Sequence, residues 1–187
     1  MQSSDDFTRV DRRALAGNDW WRLDSNAAIA RHIPLDLSEQ AFLDRCVALA
    51  NVVLEGLGER SLRRLAEAFG VDTGKIRSLL LLNWIVRLAE TSVDTGVRLQ
   101  DPVLLEILKG REETRPLNRL FALNDLRQLG AHNPTDRRDR LAAALARFDL
   151  APGAVASGYG GALDQIYDRV TDDLETVATL LGRAHQV

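Results

Sequence analysis

From residue 36 onward the apolar residues of this chain recur every three or four positions. No stretch alternates apolar and polar long enough to make a convincing strand. Such a pattern puts an apolar stripe along one side of each segment, and the only way to bury those stripes is helix against helix. The chain is therefore expected to be all-α, a bundle of about seven helices. Phe42, Cys46, Leu49, Val53 and Leu57 form one stripe. Leu62, Leu65, Ala66 and Phe69 form the next, and Leu163, Ile166, Tyr167, Val170, Leu174, Val177 and Leu181 the last and cleanest.

Local signals set the expected boundaries. Asp36 is read as an N-cap with Glu39 in capping-box position, and Gly56 and Gly58 as the close of that helix. Gly70 ends the helix from Glu59, and Asp72 or Thr73 caps the next, which runs to about Glu90. That helix is apolar almost all round at Leu79–Leu82 and Trp84–Val86, as a core helix is. Asp94–Gly96 is a turn, and Asp101-Pro102 opens a short helix that Gly110 closes. Thr114-Arg115-Pro116 begins another, stopped by Asn133-Pro134. Thr135 caps a stretch from Asp136 to Phe148. A glycine-rich loop at 151–161 precedes the final helix. Residues 1–35 read as an irregular N-terminal arm with short helical stretches at 11–16 and 26–32 and adjacent Trp20 and Trp21. The helical domain occupies 36–187.

Composition narrows the class. With 187 residues, 45% hydrophobic and 27% charged, the chain suits one globular domain. Its single cysteine, Cys46, cannot form an internal disulfide and reads as a small buried hydrophobe. No apolar run approaches the roughly 18 residues of a membrane span, and Met1–Asp6 does not resemble a signal peptide. A cytoplasmic protein is expected. The net charge of −3 gives no global field to hold nucleic acid, so any such contact needs a local basic patch. No His-Glu-x-x-His, clustered cysteines or EF-hand loop occurs, so no metal or cofactor is expected. Gly158-Tyr159-Gly160-Gly161 lacks the Lys-Ser/Thr of a phosphate loop and reads as a flexible helix start.

One motif carries chemistry. Arg127 stands five residues before His132, near the end of a leucine-rich helix. Arginine offers a permanently charged, forked donor for a phosphate. Histidine titrates near neutral pH and can take the proton of a 2′-hydroxyl or protonate a leaving oxygen. Five residues correspond to a rotation of about 140°. The two side chains converge only if the last turn loosens, which Gly130 and Pro134 would permit, or if a second subunit completes the site. Asn124, Gln128 and His132 form a polar stripe at four-residue spacing bordered by Arg127, and Asn133 follows. A purely structural reading has Arg127 paired with Asp125 or another acid, and His132 at the helix C-cap.

An arginine, four to six residues, then a histidine near the end of a helix in a helical domain resembles the HEPN superfamily. The resemblance rests on Arg127, the polar Gln128 after it and His132, and more loosely on the helical domain from about 36 to 183. Family members often have Asn, Asp or His after the arginine, where this chain has Gln128. The resemblance implies a helical bundle that forms a homodimer with the two motifs facing each other. It implies an RNA-binding, metal-independent endoribonuclease of toxin–antitoxin or phage-defence type, or a degenerate relative that only binds an antitoxin or defence-complex protein. Arg127 would hold the phosphate, His132 would act as general acid–base, and Asn124 or Gln128 would orient them, with Asn133 beside them. Arg137, Arg138 and Arg140, with Arg111, Arg115 and Arg119 upstream, are the candidate nucleic-acid patch, although Asp136 and Asp139 are interleaved.

A different reading belongs to Leu62–Leu79, which resembles the DNA-binding helix-turn-helix motif. Ala66, Gly70, Val71, Ile76 and Leu79 occupy the small, turn and apolar positions, and Lys75 and Arg77 would face DNA. That reading requires the second helix to be exposed. Tight αα-hairpins show the same spacing.

Overall fold

The computed structural model describes residues 33–112, 114–132 and 135–187. Among them run seven α-helices and no strand. They are α1 (Glu39–Leu54), α2 (Glu59–Ala68), α3 (Ser78–Thr95), α4 (Pro102–Lys109), α5 (Asn118–Ala131), α6 (Arg137–Arg147) and α7 (Gly160–Ala184). A 3-10 turn at Pro152–Val155 precedes the last. This is the all-α bundle that the apolar periodicity predicts. The expected helical stretches at 11–16 and 26–32, and Trp20 and Trp21, lie outside the described residues.

Two apolar clusters hold the bundle. In the first, α1 packs on α5, α5 on α6, and the start of α7 closes over them, with Phe42, Leu43, Leu120, Leu126, Phe148 and Ile166 fully buried. The second joins α2, α4 and the end of α7 around Leu81, Ile85 and Leu88. Helix α3 belongs to both: Leu79, Leu82 and Val86 face the first cluster, and Leu81, Ile85 and Leu88 the second. Eleven of its eighteen residues are buried, so it is the core helix its composition suggests. Helices α1 and α5 run antiparallel: Gly130 lies against Leu43 and Val47 while Arg127, earlier in α5, reaches Glu55 at the far end of α1.

Several helix starts differ from expectation. Helix α1 is capped by Ser38, whose hydroxyl accepts from the Ala41 N–H, and not by Asp36. The reason is Leu37, which is buried and draws 34–37 into a turn closed by Leu37 N–H to Pro34 C=O. Neither Asp72 nor Thr73 caps α3. Thr73 is buried and its hydroxyl donates to Glu67, while the Arg63 guanidinium gathers the carbonyls of Thr73, Gly74 and Ile76. Those bonds hold 71–77 as a loop, and α3 begins at Ser78. It continues to Thr95, where Gly96 takes the left-handed C-cap at φ 70°. Helix α5 starts at Asn118, a few residues later than read, and α6 at Arg137, one residue later. Asp101 caps α4 as expected, its carboxylate accepting from Val103 N–H, with Pro102 at the first position.

Cys46 is fully buried in the first cluster, and burial pushes its thiol well above the ordinary cysteine range. The neutral thiol is the folded form. In the unfolded chain it ionises near its ordinary value of about 8.5, so folding stability is expected to fall as pH rises past that point. Correspondingly, an aromatic disulfide reagent at neutral pH should leave the native thiol unmodified and label it on unfolding in urea. Rapid labelling of the native protein would contradict the burial.

Candidate functional site

The last two turns of α5 carry the arginine–histidine motif. They do not loosen. The His132 N–H still donates to the Gln128 C=O at 2.9 Å, as in a regular helix, and His132 is the C-cap with extended backbone. Gly130 has a packing role instead: a Cβ there would sit 2.6 Å from Val47 Cγ2 and 3.2 Å from the Leu43 carbonyl oxygen. The glycine lets two helices approach closely. Arg127 and His132 therefore keep their separation of about 140° and about 7.5 Å along the axis.

Arg127 turns toward the end of α1, where its guanidinium donates to Glu55 at 2.5 Å. Its sequence neighbour Asp125 is engaged by Arg147 across the α5–α6 contact. Asn124 is half-buried on the Arg127 side, and Gln128 is exposed. The His132 side chain is exposed and has no partner among the described residues. Arg127 in an ion pair and His132 at the C-cap are both features of the purely structural reading. Asn133 lies outside the described residues.

Arg127 and Asn124 line an open groove of about 620 Å³ between the end of α1, the start of α3 and the middle of α5. Its floor is apolar, made by Leu54, Leu57, Leu79, Leu80 and Phe121. Leu80 is unusual in leaving 47% of its surface exposed. The rim is charged. Glu55 holds Arg127, Glu59 holds Arg63 at 2.9 Å, and Arg77 lies 3.9 Å from Glu59 with 86% of its side chain in solvent. The first turn of α3, which opens at the groove, has no side-chain cap. His132 does not line this groove.

The proposed basic patch divides. Arg137 is tied to Glu39 and Gln40 at the start of α1, Arg111 to Asp94, and Arg119 to Asp149 and Asp173. Arg138, Arg140 and Arg115 are exposed and without an ion pair among the described residues. Their guanidinium groups are the ones open to phosphate. Tyr159, in the glycine loop, stacks 5.0 Å from the Phe42 ring and donates to Glu39 at 3.1 Å. Burial and the Glu39 carboxylate raise its phenol above the usual range. It therefore braces the far end of α1 from Glu55.

The helix-turn-helix reading loses its geometric basis. Its second helix is α3, whose faces are taken up by both core clusters, and Lys75 and Arg77 sit on the loop before it. Glu55, Leu80 and Phe121 belong to the groove but carry no legible signal in the sequence. Glu55 and Arg127 are 72 residues apart and meet only through helix packing.

No described helix is long and apolar enough to cross a membrane. Among the described residues no group of three or more His, Cys, Asp or Glu side chains is arranged to hold a metal ion. Comparison with protein-family models, curated proteins and solved structures finds no match to this chain.

Proposed function

We propose that this chain is a HEPN-like RNA-binding domain that acts, as a homodimer, as a metal-independent endoribonuclease of the kind used in toxin–antitoxin or phage-defence systems. The observation that carries the reading is the end of α5. An exposed imidazole without a described partner stands about one and a half turns beyond an arginine that lines an open groove. In the proposed reaction His132 takes the proton of a 2′-hydroxyl, the freed 2′-oxygen attacks phosphorus, and the bond to the 5′-oxygen breaks as the protonated His132 returns that proton to it. Arg127 offsets the negative charge that builds on the phosphoryl oxygens. The products are a 2′,3′-cyclic phosphate and a 5′-hydroxyl. Within one chain the two side chains stay apart, so a second copy brings the partner His132 to Arg127.

Purified wild-type chain is expected to cleave single-stranded RNA in EDTA and to leave cyclic-phosphate ends. Folded Arg127→Ala and His132→Ala variants should not. A folded but inert wild type, or cleavage that persists in both variants, would overturn the proposal.

The Arg127–Glu55 ion pair favours a second reading, in which the domain binds a protein and does not cleave. On that reading Glu55→Ala and Arg127→Ala alter partner binding alike, and His132→Ala has no effect.

A further inference from the structure

The groove beside Arg127 has the composition of a nucleotide site. Stacked bases need an apolar platform, and Phe121, Leu57 and the exposed Leu80 supply one. A phosphate needs donors that cost little to turn toward it. Arg77 is almost fully solvated and only loosely paired, Arg127 is at the rim, and the uncapped first turn of α3 directs backbone N–H groups and the positive end of an 18-residue helix the same way. The lining carries two acids, Glu55 and Glu59, and two arginines, Arg77 and Arg127; Glu59 is already engaged by Arg63, so Arg77 stays available to a phosphate, which would also take Arg127 over from Glu55.

One amide adds polar recognition: Asn124 lines the groove with two donors and an acceptor.

We propose that this groove seats one unpaired nucleobase of the RNA strand, with the base on Leu80 and Phe121, its edge toward Asn124, and the adjoining phosphate at Arg77 and Arg127. The site thus selects single-stranded RNA over duplex, whose bases are stacked and paired. This deepens the ribonuclease reading and rests on it for the choice of RNA as ligand.

The test uses the full chain carrying His132→Ala, which keeps the groove and removes the proposed acid–base. Fluorescein-labelled oligo-A, oligo-C and oligo-U strands and an RNA duplex are the probes, read by anisotropy at one salt concentration. The single strands are expected to bind more tightly than the duplex, with one base preferred. Leu80→Asp and Arg77→Ala are exposed changes that should leave the melting temperature unmoved and weaken binding by about tenfold each. Asn124→Ala should flatten the preference among bases, an effect that a merely structural residue does not produce. Glu55→Gln should act in the opposite direction and tighten binding severalfold, because it frees Arg127. If the parent binds RNA and these variants bind equally well, the groove proposal fails while the RNA reading stands. If the folded parent binds no RNA, both fail. If Leu80→Asp changes the mass in solution without changing RNA affinity, the groove is a protein contact and the proposal is overturned.

Discussion

An equimolar mixture of Arg127→Ala and His132→Ala chains is expected to recover about a quarter of wild-type RNA cleavage, although each variant alone is at least about 100-fold down. Because α5 stays regular through Ala131, Arg127 and His132 point about 140° apart and one chain does not bring them to a common groove. In the proposed two-fold dimer the Arg127 of one copy would meet the His132 of the other, which makes two equivalent sites. In the mixed dimer one site has lost both groups and the other has kept both. Half of the dimers in a freely exchanging mixture are mixed, and each keeps half of its sites. Cleavage should therefore appear on mixing, at a rate set by subunit exchange, and stay insensitive to EDTA. A mixture as inactive as its components, with exchange demonstrated by mass, places both groups in one chain or removes them from the chemistry.

How much of this site the sequence reveals follows from the reach of each signal. The arginine–histidine pair is legible because both residues lie within two turns of one helix. Their relation in space follows from helix geometry, and the structure retains it. The role of Gly130 is not legible. A glycine before a histidine and a proline reads as a weak point in the helix, whereas its missing Cβ is used by a neighbour, α1, whose position no local pattern gives. Glu55 and Leu80 escape for the same reason. Each joins the groove through packing between segments far apart in the chain, and a glutamate at the end of α1 or one of four leucines in a row looks ordinary until α3 and α5 are placed around it.

The fold is more legible than its boundaries. An apolar period of three to four residues, sustained over most of the chain, leaves helix packing as the means of burial, and seven helices result among the described residues. Capping residues are ambiguous because Ser, Thr and Asp serve loops as well as caps. Thr73 looks like a cap and instead donates to Glu67, since Arg63 holds the following carbonyls in a loop. Asp101 succeeds where Thr73 fails because Pro102 fixes the first helical position immediately after it.

Gly130→Val should lower stability by about 3 kcal/mol, which for a chain of this size moves the melting temperature down by about 6–12 °C. Two effects oppose each other at this position. Replacing a helical glycine favours the helix by up to about 1 kcal/mol. Against that, a Cβ would meet Val47 Cγ2 at 2.6 Å and the Leu43 carbonyl oxygen at 3.2 Å. The Val47 methyl can swing aside, but the carbonyl is part of α1 and moves only with the helix. Gly130→Ala should therefore come out about 1 kcal/mol less stable than wild type, and the branched valine worse. Val47→Ala opens space for the new Cβ, so the Val47→Ala, Gly130→Ala double variant should be more stable than the sum of the singles by about 1 kcal/mol. Thermal or urea unfolding of the four proteins measures this coupling. The close approach also sets where Glu55 stands relative to Arg127, since both are fixed to the same pair of helices. A valine at 130 that lets the helices part should weaken the ion pair as well as the core. If Gly130→Ala proves more stable than wild type, helix propensity dominates, the contact with α1 is slack, and Gly130 loses its role as the point that sets the α1–α5 spacing.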